Sequence, residues 1–73
     1  MVKESYEMKF LELAVVRVLK DFPNEGISKG EMGTVVLTFS VPYEAYEVEF
    51  CYSDGRTKAL FTINPLHLEE VTK

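Results

Sequence analysis

Few residues of this 73-residue chain could do chemistry, and their spacing does not bring them together. There is one cysteine, Cys51, and one histidine, His67. A thiol nucleophile needs a base within hydrogen-bond reach and a third group that orients the base. Cys51 belongs to an alternating run that reads as a strand, beside Lys58 across a hairpin, whereas His67 falls in a turn near the end of the sequence. A zinc site needs roughly four ligands of the right kind. The chain does not supply them, so no metal and no cofactor is expected. Carboxylates pair at Glu47 and Glu49, and at Glu69 and Glu70. Paired carboxylates can split their pKa values and share acid–base work. Glu47 and Glu49 instead lie on an open strand face with lysine and arginine across from them, the pattern of a solvated face. The chain reads as a protein that is not an enzyme.

Arg56 and Lys58 alternate along the next strand, where exposed charges discourage edge-to-edge aggregation. Glu49 falls diagonal to Lys58 across the hairpin, an exposed pair that contributes only about 0–1 kcal/mol. Two further runs carry turn chemistry rather than reactivity. Gly30 and Gly33 sit in KGEMGTVV, where they are expected to shape a loop, and Asp54-Gly55 is a strong hairpin signal.

The composition suits a small globular domain: 47% of residues are hydrophobic, with five Phe and four Tyr. At this length the chain is a single domain, residues 1–73, near the lower limit for a self-sufficient core. The formal net charge is −4. An acidic domain repels phosphate backbones, so free nucleic acid is a poor partner; the acidity either serves solubility alone or forms a surface that meets a basic partner protein. A lone cysteine excludes an internal disulfide. The sequence has no signal-like pattern and no long apolar run, which leads to the expectation of a cytoplasmic protein with no membrane contact.

Residues 1–13 fit two patterns. Tyr6, Phe10 and Leu13 would line a helix, and Tyr6, Met8 and Phe10 alternate as in a strand. Residues 1–9 read as a frayed extension, with the first strand starting near Lys9. Leu13 to Phe22 is β-rich and ends at Pro23, which opens a turn. From Gly33 to Phe39 the pattern alternates, with Val35, Leu37 and Phe39 on one face and Thr34, Val36 and Thr38 on the other. Ser40 to Glu44 is a loop.

A two-residue Asp54-Gly55 turn pairs Ser53 with Arg56. Phe50 then faces Ala59, Val48 faces Phe61 and Tyr46 faces Ile63, all apolar and all on one face. Cys51 faces Lys58, Glu49 faces Leu60 and Glu47 faces Thr62 on the other. A slip of one residue would set apolar against polar throughout. Asn64-Pro65 breaks the strand, Pro65 to Leu68 forms one helical turn, and a last strand runs around Glu69 to Val71. The expected fold is all-β: a small five-stranded SH3-like barrel with one 3-10 turn before the last strand.

The order VVRVLKDFPNEGISKGEMGTVV, AYEVEF and DGRTKALFTINPLHLEEV resembles a family of short bacterial proteins known only as a domain of unknown function. The similarity spans Leu11 to Val71, and its most specific pieces are LKDFPNEGI, GEMGTVV, and EVEF followed by DGRT. Ala14 departs from it, since members often carry Asp before the paired valines, so no role is assigned there. The resemblance implies an SH3-like barrel. It also implies a setting beside toxin-like reading frames, where a small acidic partner acts as antitoxin or immunity protein. The glycine pair further resembles the RNA- and protein-binding motif of ribosomal and transcription-elongation barrels.

The leading expectation is therefore a non-enzymatic protein-binding module that occludes a basic site on a cognate toxin. Its contact residues would be Tyr43, Glu44, Tyr46, Glu47, Glu49, Lys58 and Leu60. An outer patch of Val36, Cys51 and Leu60, joined by Tyr43, either serves as the interface or is covered by Tyr6, Met8 and Phe10. The alternatives are a nucleic-acid-binding barrel using Lys29, Arg56 and Lys58, and a homodimeric structural protein.

Overall fold

β-branched residues favour a pleated backbone, and Val15, Val16 and Val18 accordingly form the first strand. A computed structural model describes residues 8–72. Its strands are β1 (Val15–Val18), β2 (Met32–Phe39), β3 (Ala45–Cys51), β4 (Thr57–Ile63) and β5 (Leu68–Glu70). They make one antiparallel sheet in the order β4-β3-β2-β1-β5. The 3-10 turn expected before the last strand is Pro65–His67. Proline fits its first turn because no N–H is needed there, and the Asn64 side chain accepts the Leu66 N–H at 2.8 Å.

The first expected strand is shorter than its apolar run. Beyond Val18 the chain leaves the ladder, and the Leu19 N–H bonds the His67 carbonyl. It then folds back on itself through a Phe22–Ile27 bridge around a second 3-10 turn, Pro23–Glu25. The start near Lys9 is also corrected. Residues 8–14 form no strand, because Phe10 leaves any ladder to fill the core. Leu13 takes a φ of 72°, which turns the chain into β1. Tyr6 and the rest of residues 1–7 lie outside the described residues.

The β3–β4 register is the expected one from Tyr46–Ile63 through Phe50–Ala59. It is reached by a different turn. The Gly55 N–H bonds the Tyr52 carbonyl and the Tyr52 N–H bonds the Arg56 carbonyl, so three residues, not two, form the loop. Gly55 takes φ 92° to close it. The extra loop residue shifts Cys51 onto Thr57 instead of Lys58. A bulge between Phe50 and Cys51 leaves Lys58 as the unpaired residue and restores the register beyond it.

A second bulge corrects β2. The register shifts between Val35 and Leu37, so Val36 is the extra residue. Because side chains alternate with period two, one added residue sends Leu37 and Phe39 outward, away from Val35. Both are exposed.

The core comprises Phe10, Val16, Val18, Ile27, Val35, Tyr46, Val48, Phe50, Ile63 and Leu68, all buried. Full burial of each such side chain contributes about 1.5–3 kcal/mol. Gly33 lies within β2 rather than in a loop. A Cβ there would come within 2.7 Å of Val48 Cγ1 and 2.8 Å of the Glu49 carbonyl oxygen. Its lack of a side chain is what lets β2 and β3 approach so closely.

Candidate functional site

Cross-strand pairing sets the outward side chains of the sheet in rows. Val15, Thr34, Glu49 and Leu60 form one row across four strands. Leu37, Glu47 and Thr62 form the next, followed by Phe39 and Ala45. On the other side Arg17 lies between Met32 and Glu69. The face thus carries Val15, Met32, Leu37, Phe39 and Leu60, each between 38% and 52% exposed. Scattered apolar side chains are ordinary on a surface, but a cluster on one sheet face marks an interaction site.

Two carboxylates stand among them. Glu49 accepts from the Thr57 hydroxyl at 2.6 Å, and Glu47 from the Thr62 hydroxyl at 3.1 Å. Both donors are neutral, so no cation among the described residues offsets the two carboxylates. The salt bridges among the described residues do not involve these two carboxylates: Lys58 pairs with Glu31 at 2.8 Å, Arg56 with Asp54 at 2.8 Å and, at the β1–β5 side of the same face, Arg17 with Glu69 at 3.1 Å. Lys58 therefore does not pair with Glu49. As the bulged residue it follows neither face of the ladder and reaches Glu31, just before β2. The Lys58 hydrogen bond, joined by the Ser28 N–H, holds the Glu31 carboxyl below its ordinary range.

The expected contact residues divide. Glu47, Glu49 and Leu60 are together on the outer face. Tyr46 is corrected: it is 0% exposed and packs edge-on against Phe10, with ring centroids 5.1 Å apart. Its parity with Val48 and Phe50 places it inside, so it is a core residue and not a contact. Glu44 accepts from the Tyr46 hydroxyl and from the Lys9 N–H at 2.9 Å. Burial first, then the Glu44 hydrogen bond, raise the Tyr46 hydroxyl above its ordinary pKa.

Tyr43 is 75% exposed, but it sits in the loop beyond Ala45. Cys51 ends β3 at the opposite end, roughly 20 Å of strand away, so the two do not join in one patch. Val36 is half-buried at its bulge. Nor do Met8 and Phe10 cover this face: Phe10 belongs to the core and Met8 packs against it. The apolar residues that the sequence reading missed are Val15, Met32, Leu37 and Phe39. Met32 shares parity with Thr34 and was legible. Leu37 and Phe39 face outward only because of the bulge.

Among the described residues no deep cleft opens on this face. An open depression of about 170 Å³ lies over Val15, Met32, Gly33, Thr34, Glu49 and Cys51. Small-molecule sites are typically about 300–1,000 Å³ and enclosed. Cys51, exposed at the hairpin end of β4, and His67, beyond its other end, are separated by the length of that strand. Among the described residues no group of histidine, cysteine or carboxylate side chains is placed to hold a metal. Nor is any described helix long and apolar enough to cross a membrane.

Comparison with known proteins places the chain in a family. Residues 12–70 match the domain of unknown function DUF4926. No curated protein and no solved structure matches. The chain belongs to the DUF4926 family.

Proposed function

We propose that this DUF4926 member is a protein-binding module with no catalytic step of its own, and that the outer face of its sheet is the contact surface. One observation carries the reading. Five half-exposed apolar side chains share a face with Glu47 and Glu49, whose charges no cation among the described residues offsets. A face of this kind suits a partner with an apolar centre and basic residues beside it. The specific form we favour is an inhibitor of the immunity or antitoxin kind, bacterial and cytoplasmic, which covers a basic site on a toxin encoded nearby. The strand order, with a 3-10 turn before the last strand, supports reading the scaffold as an SH3-like barrel.

The nucleic-acid alternative draws less support. Of the three cations it needs, Lys29, Arg56 and Lys58, the last two are engaged by Asp54 and Glu31. The test is co-purification with the product of the adjacent gene, followed by calorimetry of the isolated pair. Binding at micromolar concentrations, weakened by added salt, is expected. Absence of heat at those concentrations would sink the inhibitor reading.

A further inference from the structure

The sheet has two edges, and they are guarded differently. β5 is three residues long and carries Glu69 and Glu70. Shortness and charge are both devices that keep an edge from pairing with another chain. β4 is seven residues long. Its guards, the bulge and Lys58, lie at its first turn. From Ala59 to Ile63 it has no charge and no proline.

Among the described residues that edge also lacks a backbone partner. β4 pairs with β3 alone, and no loop among the described residues makes a backbone hydrogen bond to it. Antiparallel pairing alternates, so every second residue of β4 turns its N–H and C=O away from β3. Such groups accept an extended strand as occupant.

We propose that the occupant is β4 of a second copy, paired antiparallel across a two-fold axis near Leu60. Charge supports this choice. An axis at Leu60 sets Ala59 against Phe61, and Lys58 against Thr62, so no like charges meet. Lys58 is in any case neutralised by Glu31. The two Leu60 side chains, each 50% exposed in the single chain, cover one another. Stacking the outer faces of two copies instead would bring Glu47 and Glu49 against the same residues. The edge and the outer face adjoin at Leu60 and Thr62: a copy of the chain takes the edge, and a different protein takes the part of the face around Val15, Met32, Leu37 and Phe39.

The experiment is sedimentation velocity on the full chain over a concentration series, at low and high salt. A monomer–dimer equilibrium is expected. It strengthens with salt, because the net charge of −4 per chain repels while the paired edges are uncharged. Leu60→Lys and Thr62→Lys change exposed positions and should each leave a folded monomer, verified by circular dichroism. Leu37→Lys, on the outer face, should still dimerise. Either edge variant, folded, is enough to decide. A monomer at every concentration overturns the proposal. So does a dimer that survives both edge variants, or one broken by Leu37→Lys alone.

Discussion

The Tyr46 hydroxyl donates to the Glu44 carboxylate and accepts the N–H of Phe10 at 3.1 Å. One phenol thereby ties the segment before β1 to the start of β3. Among the described residues the Phe10 N–H bonds the Tyr46 hydroxyl and no other group, and a buried donor left without a partner costs about 1–3 kcal/mol. Tyr46→Phe, which keeps the ring against Phe10, should therefore lose about that much stability in denaturant unfolding. An unchanged midpoint would show that the hydroxyl contributes nothing.

The same phenol predicts an alkaline dependence. Its folded pKa lies above the ordinary value of 10.0, chiefly through burial. The neutral form is the one that the fold favours. Its contribution is fully present below the unfolded pKa and is lost as pH rises through the folded one. The stability difference between wild type and Tyr46→Phe should narrow above pH 10 or so. A constant difference across that range would contradict the assignment.

Glu31 behaves in the opposite sense. Its folded pKa lies below the ordinary value of 4.5, first through Lys58 and then through the Ser28 N–H. Its contribution is present above the unfolded pKa and is lost as pH falls through the folded one. Lys58→Met should raise the Glu31 titration seen by carboxyl NMR only part of the way, because Ser28 still donates. The stability cost should be about 1 kcal/mol or less, since the pair is partly solvated.

Gly33 and Gly55 should resist substitution for different reasons. Gly33→Ala places a methyl against Val48 and the Glu49 backbone, an overpacking of about 1–3 kcal/mol. Gly55→Ala meets open space but must hold φ 92°, a strain of about 1–2 kcal/mol. Thermal unfolding of the two variants checks both. A Gly33→Ala protein as stable as wild type would mean that the two strands separate freely.

Much of the β3–β4 hairpin was legible, because turn chemistry and apolar parity both bear on the register. The loop length was not. A three-residue loop with a bulge at Lys58 reaches the same pairs as a two-residue loop without one, and the side-chain pattern beyond Ala59 is identical in the two cases. The bulge at Val36 was hidden for a related reason. In Val35–Val36–Leu37 both faces are apolar, so parity gives no sign of a switch. Tyr46 was legible as core from its alternation with Val48 and Phe50. The Lys58–Glu31 pair spans 27 positions and depends on that bulge, which no local pattern marks.

The central claim is that the outer face of the sheet binds another protein. The most direct measurement is the calorimetric Kd of the adjacent gene's product for three proteins: wild type, the double variant Leu37→Lys with Glu49→Lys, and Leu66→Lys. Leu66 is exposed but lies in the turn before β5, off the face. Removing a buried apolar anchor and reversing a charge should weaken binding about 100-fold, while Leu66→Lys binds as wild type. A folded double variant with wild-type affinity would contradict the claim.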